Sequence, residues 1–171
     1  MKQVVQIRCK NNKKSQKVAI GSTLSDIFSS FNLKMEHGPV SAKVNNKVEG
    51  MHYRVYNNKD IEFLDMHTSS GSRAYTRTLF FVLCKAVQDL YPGHDVVIDI
   101  PVSNGFYVDV RLERDVTADD VDCIRKRMQE IVDACMPIRR YMVPTEDAIA
   151  LFEEKGDVEK VKLLRTSGSL Y

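Results

Sequence analysis

Residues 76–110, TRTLFFVLCKAVQDLYPGHDVVIDIPVSNGFYVDV, constrain the fold more than any other stretch of the chain. Leu79, Val82, Leu83, Ala86, Val87 and Leu90 fall at i, i+3, i+4, i+7, i+8 and i+11, the repeat of one helical face. Phe80, Phe81 and Cys84 widen that stripe until its first half is apolar nearly all round, which predicts a central, well-buried helix. Tyr91-Pro92-Gly93 ends it, because a proline disfavours helical geometry at the preceding residue and a glycine turns the chain. Two strand-like runs follow, residues 95–100 and 106–111, joined through Pro101 and the turn Ser103-Asn104-Gly105. A helix feeding a hairpin predicts an α+β domain built from the second half of the chain.

The remaining length is enough for a second small domain, since 171 residues make one ordinary domain or two small ones. No apolar run reaches the ~20 residues of a membrane span, and Met1-Lys2-Gln3 leads into no signal-peptide core. The expectation is a cytoplasmic protein with no membrane partner. Cys9, Cys84, Cys123 and Cys135 show no paired spacing and read as reduced core cysteines.

Residues 1–65 carry a different pattern. Residues 4–9 alternate, with Val5, Ile7 and Cys9 on one face; Asn11-Asn12 mark a turn, and residues 17–20 return. Thr23 and Asp26 have the spacing of a capping box before a short helix with the stripe Leu24, Ile27, Phe28 and Phe31. Residues 40–44 alternate again, Asn45-Asn46 turn, and residues 61–64 close with another strand. Hairpin, helix and further strands predict a β-grasp, ubiquitin-like module. Residues 66–76 are rich in Ser, Thr and Gly without an apolar period, and read as the linker to a second domain at 77–171.

In that second domain Thr117 and Asp120 cap a long helix with the stripe Val121, Ile124, Met128, Ile131, Val132 and Cys135, stopped by Pro137. Residues 139–143 read as a strand. Thr145 is expected to cap a helix that ends near Gly156, with one or two further turns around Val158, Val161 and Leu164 before the tail TSGSLY.

Charge is uneven. Residues 1–66 hold eleven Lys/Arg against six Asp/Glu, a balance of +5, and no acid precedes Asp26. Lys10, Lys13, Lys14 and Lys17 crowd the first hairpin, either for an anionic partner such as RNA or as an edge strand guarded against self-association. No phosphate-cradling G-x-x-x-x-G-K-S/T or G-x-G-x-x-G motif is present, nor any C-x-x-C. His37, His52, His67 and His94 are too scattered along the chain for a metal motif, so no metal ligands are assigned. Asp119-Asp120 sit where acids complement a helix dipole. Arg125, Lys126 and Arg127 read as a solvated face, with Asp122 placed to pair with Lys126. Arg73 and Arg77, flanking Tyr75, stand at a Ser- and Gly-rich helix start, suited either to an anion or to contacts between domains.

The segment AKVNNKVEG, after a basic hairpin and a capped helix, resembles the TGS domain of threonyl-tRNA synthetases, regulatory GTPases and ppGpp enzymes. Leu90-Tyr91-Pro92, Asn104-Gly105-Phe106-Tyr107, Lys126-Arg127-Met128, the helix at 146–156 and Lys160-Val161 are similar to the editing-type second domain of the synthetase. Where that family has H-x-x-x-H, this chain has Arg77 and Phe81. Where it has the second tyrosine of GFYYD, this chain has Val108; Lys160 matches a lysine of the family's site.

GSRAYTRTLFFVL, PVSNGFYVDV and KVKLLRTSGSLY together resemble the N-terminal region of bacterial uridine-kinase-type nucleoside kinases. That resemblance implies a non-catalytic accessory region preceding a kinase domain. ATP and magnesium would serve that kinase domain, with no cofactor held by these residues. Its partners would be that domain, RNA or a small anionic ligand in a degenerate pocket bearing Arg77, Tyr107, Lys160 and Arg73. The alternatives are an aminoacyl-tRNA editing-type domain and a stand-alone RNA-binding module.

Overall fold

The computed structural model describes residues 3–103, 105–139 and 141–166. The chain divides after Ala134 into two compact units. The first has the order β1 (Val4–Cys9), β2 (Lys14–Ala19), α1 (Leu24–Ser30), β3 (Ser41–Val44), β4 (Lys47–Glu49), β5 (Lys59–Leu64), α2 (Ser69–Leu90), β6 (Asp95–Val102), β7 (Gly105–Arg111) and α3 (Ala118–Asp133). The second contains α4 (Thr145–Glu154) and α5 (Val158–Thr166). The class is mixed α+β.

Strands β1 to β5 form one sheet in the order β2-β1-β5-β3-β4. Only β1 and β5 run parallel; the other neighbours are antiparallel. Alternation along β1 buries Val5, Ile7 and Cys9 on one face, as the sequence predicts. There they join Leu24 and Ile27 of α1 and Ile61 and Phe63 of β5 in one apolar cluster. Phe28 meets Phe63 edge to face at 5.1 Å between centroids. Asn11 lies just beyond β1 and uses its side-chain amide as a strand residue would. It donates to Phe63 O at 2.9 Å and accepts the Phe63 N–H at 2.8 Å.

Two local devices hold this sheet in register. Asn45 and Asn46, with φ of +46° and +71°, make the two-residue turn between β3 and β4, a conformation asparagine tolerates better than most residues. At α1 the capping box is complete: Asp26 N–H donates to Thr23 Oγ1 at 3.1 Å, and Thr23 N–H donates to Asp26 Oδ2 at 3.0 Å.

The stretch expected as a linker up to Thr76 is instead, from Ser69 onward, the first two turns of a 22-residue helix. Thr68 caps it by accepting the Gly71 N–H at 3.1 Å. Serine, threonine and glycine therefore mark a helix start here, not an irregular connector. Nor is α2 well buried throughout: Val82, Ala86 and Val87 are, whereas Phe81 is 64% exposed. Its buried packing partners lie on one side only, so of the residues that widen the stripe Phe81 and Cys84 are exposed, while Phe80 is half-buried.

A second apolar cluster joins Val82, Ala86 and Val87 of α2 to Ile124 and Ile131 of α3, with Leu83, Tyr91, Val96, Val110 and Met128 packed against it. The stripe predicted for α3 is narrower in the fold, since Val121, Val132 and Cys135 are exposed. Arg127 does not belong to a solvated face. It bridges from α3 to Asp89 Oδ2 on α2 at 2.8 Å and reaches Glu130 at 2.9 Å. Asp122 pairs with Arg125, not Lys126. The capping box at Thr117 and Asp120 is present. Cys9 alone of the four cysteines is buried, so the expectation of core thiols fails for Cys84, Cys123 and Cys135.

Strands β6 and β7 pair as an antiparallel hairpin whose register shifts between Ile98 and Pro101. The shift lets β6 continue to Val102, past the proline that lacks a ladder donor. Asn104, at the expected turn, lies outside the described residues.

In the second unit, residues 139 and 141–143 are not a strand. They find no ladder partner among the described residues, and Met142 is 89% exposed. Residue 140 and the tail from 167 lie outside the described residues. Thr145 is the first residue of α4, behind Pro144, and caps nothing with its side chain. Gly156, with φ of +70°, closes α4, and Asp157 accepts the Lys160 N–H at 3.0 Å to start α5. No helix among the described residues is long and apolar enough to cross a membrane.

Candidate anion-binding cleft

The first turns of α2 face the tip of the β6–β7 hairpin. Ser72, Arg73, Thr76, Arg77 and Phe80 line one wall of a cleft of about 440 Å³; Pro101, Ser103, Gly105 and Phe106 line the other. Arg73, Arg77 and Phe80 stand at i, i+4 and i+7, so they stack along one helical stripe. Phe80 closes the floor by meeting Phe106 edge to face, 4.9 Å between centroids and 89° between planes. Arg73 and Arg77 also border a smaller cleft of about 220 Å³ with Val48, Ser70 and Ala74.

The electrostatics of this end of α2 are one-sided. The first turns of α3 and α4 hold acids that complement the helix dipole, while the first turn of α2 holds none. Arg111, Arg114, Arg125, Arg127 and Arg165 each pair with a carboxylate. Among the described residues neither Arg73 nor Arg77 has such a partner. Two permanent charges, each with a planar fork of donors, thus meet at one opening beside an aromatic floor. The described lining residues include no carboxylate, imidazole or thiol to act as a general base. The arrangement can hold an oxyanion and stack a flat group.

Of the residues singled out in the sequence, the fold brings Arg73 and Arg77 together. Tyr107 follows Phe106 on β7 and so points to the opposite face of the hairpin, 59% exposed and outside the cleft lining. Lys160 lies on α5, where its ammonium is paired with Asp157 and sits 5.3 Å from the centre of the Phe152 ring. Phe81, matched to the second histidine of H-x-x-x-H, faces outward, and Phe80 takes the place in the cleft.

Lys13, Lys14 and Lys17 occupy the β1–β2 turn and the edge strand β2, whose residues up to Lys17 are all exposed. Lys10 donates to Asn46 Oδ1 at 3.2 Å. None of these lysines lines either cleft at Arg73 and Arg77.

Ser72, Thr76, Phe80 and Phe106 join the site without an expectation from the sequence. Arg73, Arg77 and Phe80 share a helical spacing, a signal that a linker over residues 66–76 divides between two segments.

No family model matches the chain. It is similar to part of the threonine–tRNA ligase of Acetivibrio thermocellus, 28% identical over 145 residues, covering 85% of this chain and 23% of the relative. The threonine–tRNA ligase of Natranaerobius thermophilus is 31% identical over 137 residues, or 80% of this chain and 22% of the relative. That of Clostridium kluyveri is 28% identical over 162 residues, or 95% and 25%. The chain therefore spans about a quarter of the length of these relatives. They support a threonyl-tRNA-synthetase-like region and lend no support to a uridine-kinase parent.

Proposed function

We propose that this chain is an RNA-binding region related to part of the threonine–tRNA ligases, whose α2–hairpin cleft holds an RNA phosphate without hydrolysing its ligand. The observation that carries this reading is the pair Arg73 and Arg77, one helical turn apart and without acidic partners among the described residues, on one cleft. Phe80 and Phe106 supply an aromatic surface of the kind on which bases stack. The relatives' name supplies the RNA, and the lysines of the β1–β2 hairpin are a second place for its backbone. Residues 1–65 we read as a β-grasp module, a reading supported by the strand order β2-β1-β5-β3-β4 around a capped helix. Residues 77–171 then correspond to the editing-type domain, with Arg77 and Phe81 in place of its histidines.

That departure favours binding over editing, because an always-protonated guanidinium cannot serve as general base. The segments GSRAYTRTLFFVL, PVSNGFYVDV and KVKLLRTSGSLY keep an accessory region of a uridine-kinase-type nucleoside kinase as a second reading. In that reading ATP and magnesium belong to a kinase domain and not to these residues.

The test is fluorescence anisotropy of a labelled tRNA with the wild-type chain and with Arg73→Ala/Arg77→Ala, alongside a deacylation assay on mischarged tRNA. Binding weakened in the double variant, with the aminoacyl bond left intact, is the expected result. Turnover by the wild type would restore the editing reading; uridine or ATP bound in place of RNA would favour the second.

A further inference from the structure

Two histidines far apart in the chain meet in the fold. His37 and His67 stand with ring centroids 5.9 Å apart. The Glu36 carboxylate faces both: Oε1 is 3.8 Å from His37 Nε2, and Oε2 is 3.8 Å from His67 Nε2. One donor atom from each residue can be chosen so that all three lie within 4.8 Å of one another. These spacings exceed a hydrogen bond, so none of the three side chains is tied to another by one.

The backbone beneath each donor is fixed. Glu36 and His37 form the middle of a turn closed by Gly38 N–H on Met35 O at 3.2 Å. Gly38 has φ of +71°, which favours glycine. His67 lies in a second turn, where its N–H donates to Asp65 Oδ1 at 3.0 Å and Thr68 Oγ1 donates to Asp65 O at 2.9 Å. Thr68 is also the cap of α2, so this turn is anchored to the helix. The donors themselves are exposed and able to rotate.

We propose that Glu36, His37 and His67 form a binding site for a divalent transition-metal cation of the zinc, cobalt or nickel class. Two imidazoles and one carboxylate suit that class better than calcium or magnesium, which prefer oxygen ligands alone. Bonds of about 2.0–2.2 Å to each donor in tetrahedral geometry place the donors about 3.4 Å apart, within reach of small side-chain rotations. Three protein ligands leave a further position for water. A bound ion would fasten the loop between α1 and β3 to the start of α2. This proposal is independent of the RNA-binding reading.

The experiment titrates cobalt(II) into the metal-free chain at neutral pH and follows visible absorption. One equivalent is expected to give d–d bands without a thiolate charge-transfer band, a necessary check because Cys84, Cys123 and Cys135 are exposed. His37→Ala and His67→Ala should each weaken binding at least about tenfold, while the exposed His52→Ala should leave it unchanged. Glu36→Gln, which keeps the side chain's shape, gives the same test where an alanine variant melts early. Unchanged affinity in the His37 and His67 variants, equal weakening in His52→Ala, or a thiolate band would overturn the site.

Discussion

Tyr91 donates its phenolic hydrogen to Asp120 Oδ1 at 2.7 Å, tying the end of α2 to the first turn of α3. Asp120 also receives a two-pronged contact from Arg114, at 2.6 and 2.8 Å, and the Thr117 N–H at 2.8 Å. These donors, Arg114 foremost, hold its carboxyl well below the usual carboxylate range. A folded-state pKa below the unfolded value stabilises the fold above the unfolded value, about 4. The contribution is then lost as pH falls toward the folded value. Asp120→Asn should therefore lower the melting temperature at neutral pH, and the gap to wild type should narrow as pH drops below about 4. Thermal melts of both proteins across pH check this; a gap independent of pH would contradict it.

Gly71 should resist the substitution that normally stabilises a helix. Alanine in place of glycine in a helix interior ordinarily gains about 1 kcal/mol. Here the added Cβ would lie 1.8 Å from Asp65 O and 2.8 Å from Thr68 Oγ1. Gly71→Ala is expected to be less stable than wild type in chemical denaturation, through loss of the Thr68 cap. A gain in stability would show that the start of α2 is not packed as described.

Two phenylalanines should differ sharply in what their removal costs. Phe63 is 2% exposed in the sheet cluster, and Phe63→Ala should cost about 3–5 kcal/mol. Phe81→Ala should change stability by no more than about 0.5 kcal/mol, because its ring lies on the surface. Denaturant midpoints of the two variants measure both.

The parts of the fold legible in the sequence were those specified locally. Thr23 with Asp26 and Thr117 with Asp120 announce their helices, and the alternation of Val5, Ile7 and Cys9 fixes a strand face. What escaped was decided by distant partners. Nothing local shows that Asp89 awaits Arg127, or that Phe80 and not Phe81 meets Phe106. His37 and His67 belong to different turns and meet only once α2 is placed. Arg73 and Arg77 were recognisable as candidates from their charge and context; their shared cleft required knowing that the helix begins at Ser69.

The salt dependence of tRNA binding reads out whether Arg73 and Arg77 grip RNA phosphate. Plotted as log affinity against log salt concentration, the wild-type slope counts the phosphates neutralised. Arg73→Ala and Arg77→Ala should each reduce that slope by about one, and the double variant by about two. Parallel lines for wild type and double variant would show that neither arginine contacts phosphate.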